Sequence, residues 1–273
     1  MVRIHLCQPD EKKSCAACCG VYNYTENTRD ALEKRFHSRT GLFARVRENT
    51  LSLEDYQAIV RHRENTKRIY ATIYTCEFVG FLDAGFHRVG CMLHPLMNNG
   101  SDLRTISFYG RDICEGHFCP SYQKLEPHEA RVILDVLDDW YLYGSVVTDI
   151  DFVKTFFKIV QDRIGEAIDP RGIAASRRLG EIFRRYCSLK MDWPFRDTTR
   201  PRFGKYYFVG ENYDIARIDY QSIGAPVSLY DPIFVSLSSL FRNRDELDKA
   251  NRFMDSIIEE FCDEYTGTHR CDH

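Results

Sequence analysis

Cys15-Ala16-Ala17-Cys18-Cys19-Gly20 is the stretch from which the fold of the first half of the chain is read. Two thiols separated by two residues can both turn inward on one tight loop and grip a single soft metal ion. Ala16 and Ala17 leave room for that loop to close, and Gly20 admits the positive φ such a turn often needs. Adjacent side chains tend to diverge. Cys19 is therefore expected to serve a second metal, to bridge two metals, or to pack inward.

Working outward from the knuckle, the expected partners are Cys76, Cys91, Cys114 and Cys119, with Cys7 upstream. Eight thiols fall in the first 119 residues against three in the remaining 154. Eight is enough for two four-thiolate sites, though the count alone does not require that all eight be used.

The knuckle Cys15-Ala16-Ala17-Cys18-Cys19 is followed by Gly90-Cys91-Met92-Leu93-His94-Pro95 and then by Cys114-Glu115-Gly116-His117-Phe118-Cys119-Pro120. On these three segments residues 1–122 resemble the YkgJ-type cysteine-cluster family, with its C-x-x-C-x-x-C-C opening and later C-x-I-Y-x-x-R-P-x-x-C segment. The resemblance implies a zinc- or iron-chelating domain and no particular reaction. Two departures bear on the ligands. The family's first cysteine falls at Lys12, so either Cys7 replaces it or that ligand is missing. The R-P-x-x-C stretch is also absent, and the segment from Leu96 to Ile113 separates Cys91 from Cys114.

At 273 residues the chain can bury a full core, as one large domain or two smaller ones. A net charge of −3 argues against a general nucleic-acid or anionic-membrane surface. Eleven cysteines are about 4% of the chain, below the roughly 8–10% of a disulfide scaffold. The first residues lack an apolar core and become charged at Asp10-Glu11-Lys12-Lys13, unlike a signal peptide. No run approaches the roughly 18 apolar residues of a membrane span. A cytoplasmic location is expected, and there clustered cysteines favour metal or redox chemistry over structural disulfides.

Along the chain, Thr28 is a fair N-cap for a helix from Arg29 to about His37. A second helix is expected from Thr50 or Ser52 to about Tyr70, with Ile59, Val60 and Ile69 inward and Asp55 placed for a capping box. Its Arg61, Arg63, Lys67 and Arg68 form a row that is more often a solvated face than an anion site. Thr72 to Leu82 is β-rich and would put Cys76 on or beside a strand. Gly85 to Pro95 delivers Cys91 on a short strand or turn, Asn98-Asn99-Gly100-Ser101 signals a turn, and Gly110 to Pro120 reads as a second metal-competent loop.

After Tyr122 the pattern changes to long amphipathic helices. They are expected from Glu126-Pro127 to about Tyr143, Asp149 to about Ala167 with a break at Asp169-Pro170, Ala174 to Lys190, Pro232 to Phe241 and Arg244 to Tyr265. Gly210-Glu211-Asn212 signals a hairpin between two strands. The fold class is thus mainly α with minor β. A cysteine-rich, loop-rich metal-binding region, 1–122, packs on a helical region, 123–273, with one β-hairpin; the boundary is soft, and a single domain is the alternative.

His94 and His117 lie close to Cys91 and Cys114, where an imidazole could complete a Cys3His zinc site. The commoner role is a hydrogen bond to sulfur or water. Cys187 reads as an ordinary buried thiol. The tail Cys262…His269-Arg270-Cys271-Asp272-His273 carries ligand-type residues without an ordered frame. No phosphate loop, dinucleotide fingerprint, H-E-x-x-H or G-x-S-x-G is present, and no catalytic residue is nominated.

Three functions from different classes are compatible with these features. The first is a metal-chelating protein whose zinc or iron is held by Cys15, Cys18, Cys91, Cys114 and Cys119, with Cys7, Cys19 and Cys76 assisting, in a closed structural site. The second is an iron–sulfur protein that carries electrons or senses oxidants. The third is a metal-free thiol oxidoreductase using Cys15 and Cys18. The expected partner is a metal ion; neither membrane nor nucleic acid is expected, and no protein partner is indicated.

Overall fold

Thr28 accepts a hydrogen bond from the Ala31 amide at 3.4 Å and starts helix α1 (Arg29–Arg47). The helix runs ten residues past the expected end, straight through Gly41. Leu32, Phe36, Arg39, Leu42 and Phe43 continue one buried stripe at helical spacing, and tertiary packing outweighs the poor propensity of a single glycine. Helix α2 (Leu53–Arg63) is capped by Ser52, which accepts from the Asp55 amide at 3.0 Å. It stops well short of Tyr70, so Ile69 lies outside it. Its buried residues are Tyr56 and Val60.

The computed structural model describes residues 5–64, 67–200, 202–203, 205–209 and 212–270. Among them the chain is mainly helical and forms two compact units: Ile4–Tyr122 with Asp139–Gly144, and Gln123–Asp138 with Ser145–His273. No helix among the described residues is long and apolar enough to cross a membrane.

In the first unit, strand β1 (Val79–Phe81) pairs antiparallel with β2 (Val89–Cys91), Val79 facing Cys91 and Phe81 facing Val89. Only these short segments of the β-rich stretches become strand. Phe36, Phe81 and Trp140 meet edge to face or tilted at 5.7 to 6.3 Å between ring centres. Phe43, Tyr56 and Phe78 continue the aromatic core at 5.3 and 5.4 Å. The expected second loop is partly helical, with α3 (Gly110–Gly116) carrying Cys114 and α4 (Pro120–Lys124) following Cys119.

The second unit begins at α5 (Pro127–Val136), where Glu126 and Glu129 form a capping box. The expected run to Tyr143 is broken. Leu137 is extended, and Asp139 accepts from the Leu142 amide at 2.7 Å to start α6 (Trp140–Val147), whose first residues belong to the first unit. Asp149 caps α7 (Ile150–Ile164), which ends at Gly165. Asp169 then caps α8 (Pro170–Ala175), with Pro170 in its first turn: the pair opens a helix rather than breaking one.

Ser176 caps α9 (Arg177–Asp192). Strands β3 (Tyr206–Val209) and β4 (Asn212–Ile215) form the hairpin, with Val209 opposite Asn212, so Asn212 belongs to the strand; Gly210 and Glu211 lie outside the described residues. The first unit therefore adds a second antiparallel pair to the one hairpin expected. Helices α10 (Asp231–Ser236) and α11 (Arg244–Arg270) complete the unit. Phe152 stacks on Tyr186 at 4.3 Å, and Phe156, Phe183 and Phe261 surround them. Cys187 is buried here as an ordinary thiol. Arg178 and Arg185 both pair with Glu260 of α11, and Arg184 donates to the Val136 carbonyl, so the arginine row of α9 is spent on its own unit.

Candidate metal centre in the first unit

The knuckle is a 3-10 turn over Ala17–Cys19 that ends on Gly20 at φ 80°. Gly20 must be glycine for two reasons. Its φ is left-handed, and a Cβ there would run into the Tyr74 carbonyl and approach the Thr75 Cα to 2.9 Å. That close approach lets the Cys76 amide donate to the Cys19 carbonyl at 3.0 Å.

On the other side, the Cys15 amide donates to the Cys7 carbonyl at 2.8 Å. The residues next to these two cysteines close the free edge of β2: the Val89 amide donates to Ser14 Oγ at 2.6 Å, and Gln8 Nε2 donates to the Val89 carbonyl at 3.0 Å. Arg39, buried on α1, donates to the carbonyls of Cys76 at 2.9 Å and Val79 at 3.2 Å and fixes the approach to β1. Long-range hydrogen bonds thus carry the cysteines of four separate segments to one end of the unit.

The thiols assort into two sets. Cys18 donates to the Cys119 sulfur, and Cys7, Cys15 and Cys119 act on one another electrostatically. Cys19 instead feels Cys76, Cys91 and Cys114 first, and Cys76 and Cys91 feel each other and Cys114 in turn. Cys18 and Cys19, adjacent in sequence, face different sets. Cys15 also acts on Cys19, so the two sets are neighbours. Among the described residues no three of His, Cys, Asp or Glu stand close enough together to hold a metal ion as the side chains are placed.

Backbone amides point at four of the sulfurs. The Ala17 amide donates to Cys15 Sγ at 3.5 Å. Phe78 donates to Cys76, Leu93 and His94 donate to Cys91, and Tyr122 and Ser121 donate to Cys119. In every case the donor is two or three residues downstream, as it is where a chain wraps round a thiolate. Hydrogen bonds to the charged form favour it.

Burial works the other way. It pushes the Cys7 and Cys91 thiols up to about 11 and those of Cys15 and Cys76 up to about 12, and it raises Cys19 well above its ordinary value. Cys119 is the exception. The hydrogen bond from Cys18 and the amides of Tyr122 and Ser121 outweigh burial and bring it down to about 5, while Cys18, the donor of that bond, is raised. One proton is shared by that pair, held on Cys18. Two tyrosines close the first set: Tyr143 donates to the Leu6 carbonyl at 2.8 Å, and Tyr22 donates to the Tyr141 carbonyl at 2.8 Å. Gly144 lets both sides close, because a Cβ there would strike the Tyr22 hydroxyl and sit 3.5 Å from Cys15 Sγ.

His94 spends Nδ1 on the Leu96 amide at 3.2 Å, where it caps a short 3-10 turn. His117 is exposed at the end of α3. Cys262 is half-buried on α11, while Cys271 and His273 lie outside the described residues. A separate cavity of about 410 Å³ is lined by Tyr24, Arg39, Glu64, Arg68, Tyr74 and Glu77 among others and holds no cysteine. Its charges pair internally, Arg39 with Glu64 and Arg61 with Glu77, and Arg68 lies over the Tyr74 ring. The resemblance stated from the motifs finds no counterpart in wider comparison: a scan of protein families, a search of curated proteins and a search of solved structures each return no match.

The sequence reading missed Gln8 and Ser14, which brace β2, and the pairing of Cys18 with Cys119 across about a hundred residues. It also missed Gly144 and Tyr143, which carry no local signal. A glycine and a tyrosine inside an apolar helix read as ordinary helix until the thiols they enclose are in view.

Proposed function

We propose that this chain is a metal-chelating cysteine-cluster protein of the YkgJ type, holding zinc or iron through thiolates of its first unit. The observation that carries the proposal is the set of backbone amides aimed at the sulfurs of Cys15, Cys76, Cys91 and Cys119. A buried thiol that merely packs as a small hydrophobe needs no such donors. An all-sulfur donor set is soft and suits zinc and iron–sulfur centres alike. Cys7, Cys15, Cys18, Cys19, Cys76, Cys91, Cys114 and Cys119 would supply the ligands, drawn inward from their metal-free positions as the protons leave.

The bound metal would hold together a unit whose short strands and 3-10 turns bury little of their own. Binding of a structural zinc contributes roughly 10–16 kcal/mol in small peptides at neutral pH. That is ample to hold such loops in place. No side chain is assigned a catalytic role, and a structural or electron-carrying site fits the enclosed setting better than an open one.

Purification without oxygen, followed by elemental analysis and an optical spectrum, tests the proposal. Stoichiometric zinc in a colourless protein is the structural outcome; a brown protein with iron and inorganic sulfide is the iron–sulfur form. A chain that retains neither metal and takes up none on reconstitution refutes chelation. The remaining thiol reading, a metal-free oxidoreductase, would then centre on Cys18 and Cys119, since those two thiols are the hydrogen-bonded pair.

A further inference from the structure

The knuckle sends its two adjacent cysteines in different directions, and each direction is anchored by its own backbone hydrogen bonds. Cys15 is tied to Cys7 through the Cys15 amide, and the Cys18 thiol meets Cys119. Cys19 is tied to Cys76 through the Cys76 amide. Cys91 ends the strand that pairs with Val79, three residues beyond Cys76, and Cys114 follows on α3 with Ser107 Oγ 3.9 Å from its sulfur.

Resting on the chelation reading above, we propose that the first unit holds two separate metal ions. Cys7, Cys15, Cys18 and Cys119 take one, and Cys19, Cys76, Cys91 and Cys114 take the other. Each set contains four thiols, the number that closes a tetrahedral zinc or iron–sulfur site. Each also contains two sulfurs that already receive downstream amides: Cys15 and Cys119 in the first, Cys76 and Cys91 in the second. A four-thiolate site carries excess negative charge. In the second set Arg39 and Arg104 offset it, acting on Cys76 and Cys91.

The departure of this chain from the family pattern at Lys12 is thereby absorbed. Cys7 stands in the first set through its carbonyl bond to Cys15, and Lys13 turns away to an ion pair with Asp10 at 2.8 Å.

The test is a cobalt titration of the reduced, metal-free full-length chain. Two equivalents are expected to bind, with the thiolate-to-metal absorption growing linearly to the second. Cys18→Ser, at an exposed thiol, and Cys114→Ser, at a half-buried one, are each expected to lose one equivalent and keep the other. Because either variant could fail to fold, the wild-type chain supplies a second measurement. Its paramagnetic cobalt signal should rise steadily through both equivalents, since separate ions do not couple.

Saturation at one equivalent that both variants abolish overturns the two-site inference and leaves chelation standing. A signal that falls between the first and second equivalents means a thiolate-bridged pair and also overturns it. No uptake at all removes the chelation reading itself.

Discussion

Replacing Gly20 with alanine puts the packing of the knuckle to a quantitative test. The left-handed φ of 80° alone costs an alanine roughly 1–2 kcal/mol. The new methyl would also run into the Tyr74 carbonyl and come within 2.9 Å of the Thr75 Cα, both backbone groups that cannot rotate aside. Overpacking of this kind costs roughly 1–3 kcal/mol. If the strands separate to relieve it, the bond from the Cys76 amide to the Cys19 carbonyl is lost, at about 1 kcal/mol more. The expected destabilisation is about 3–5 kcal/mol. Gly100 in the same unit is the control. Its φ is 87° and a Cβ there would meet nothing within 4 Å, so Gly100→Ala should cost only the roughly 1–2 kcal/mol of the backbone penalty. Urea denaturation of a Trp193→Phe background, in chelator and reductant, reads the first unit alone, because Trp140 is then the one tryptophan left and belongs to that unit. Equal losses for the two alanine variants would refute the close approach of Gly20 to the Tyr74–Thr75 backbone.

Ser14→Ala leaves the Val89 amide buried without its acceptor, and a loss of about 1–3 kcal/mol is expected, with faster hydrogen exchange at that amide as the direct readout. Alkali should destabilise the metal-free chain. The thiols of Cys7, Cys15, Cys76 and Cys91 are raised from 9.0 to between about 11 and about 12, so the stability they contribute is whole below the unfolded value and drains away as pH rises through the folded ones. Denaturation followed across that window with and without zinc should show the loss only without it. Asp149 behaves oppositely. Burial would raise its pKa, but Lys190 and Lys205 hold it below the ordinary carboxylate range, so its contribution is present at neutral pH and is lost as pH falls through the folded value. Asp149→Asn should destabilise the second unit by about 3–5 kcal/mol at pH 7, by stranding buried Lys190, and should flatten the acid limb of its stability profile.

Much of the helical fold is legible because its signals are local. Thr28, Ser52 and Asp149 cap the helices that their sequence context announces, and the apolar spacing of Phe152, Phe156 and Val160 needs no partner to be recognised. The errors fall where distant contacts decide. Helix α1 passes Gly41 because Leu42 and Phe43 have a core to enter, and α5 stops before Leu137 because Asp139 caps a new helix that reaches the first unit. The Asp169-Pro170 pair reads equally well as a stop or a start. At the candidate site the density of cysteines is visible in the sequence, and the divergence of Cys18 from Cys19 is expected from their adjacency. Which thiol meets which is not visible, because hydrogen bonds from Val89, Cys76 and Cys15 to distant residues fix it. Spacing along a chain says little about such encounters.

The ligand shell of the metal carried by the anaerobically purified chain tests the central claim most directly, and X-ray absorption at that metal's edge reads it. For zinc, four sulfur neighbours at about 2.3 Å with no lighter atom in the first shell are expected; for iron, sulfur neighbours with a second iron beyond them. A shell dominated by oxygen or nitrogen would contradict the account, because the thiols that crowd the first unit would then be holding no ion.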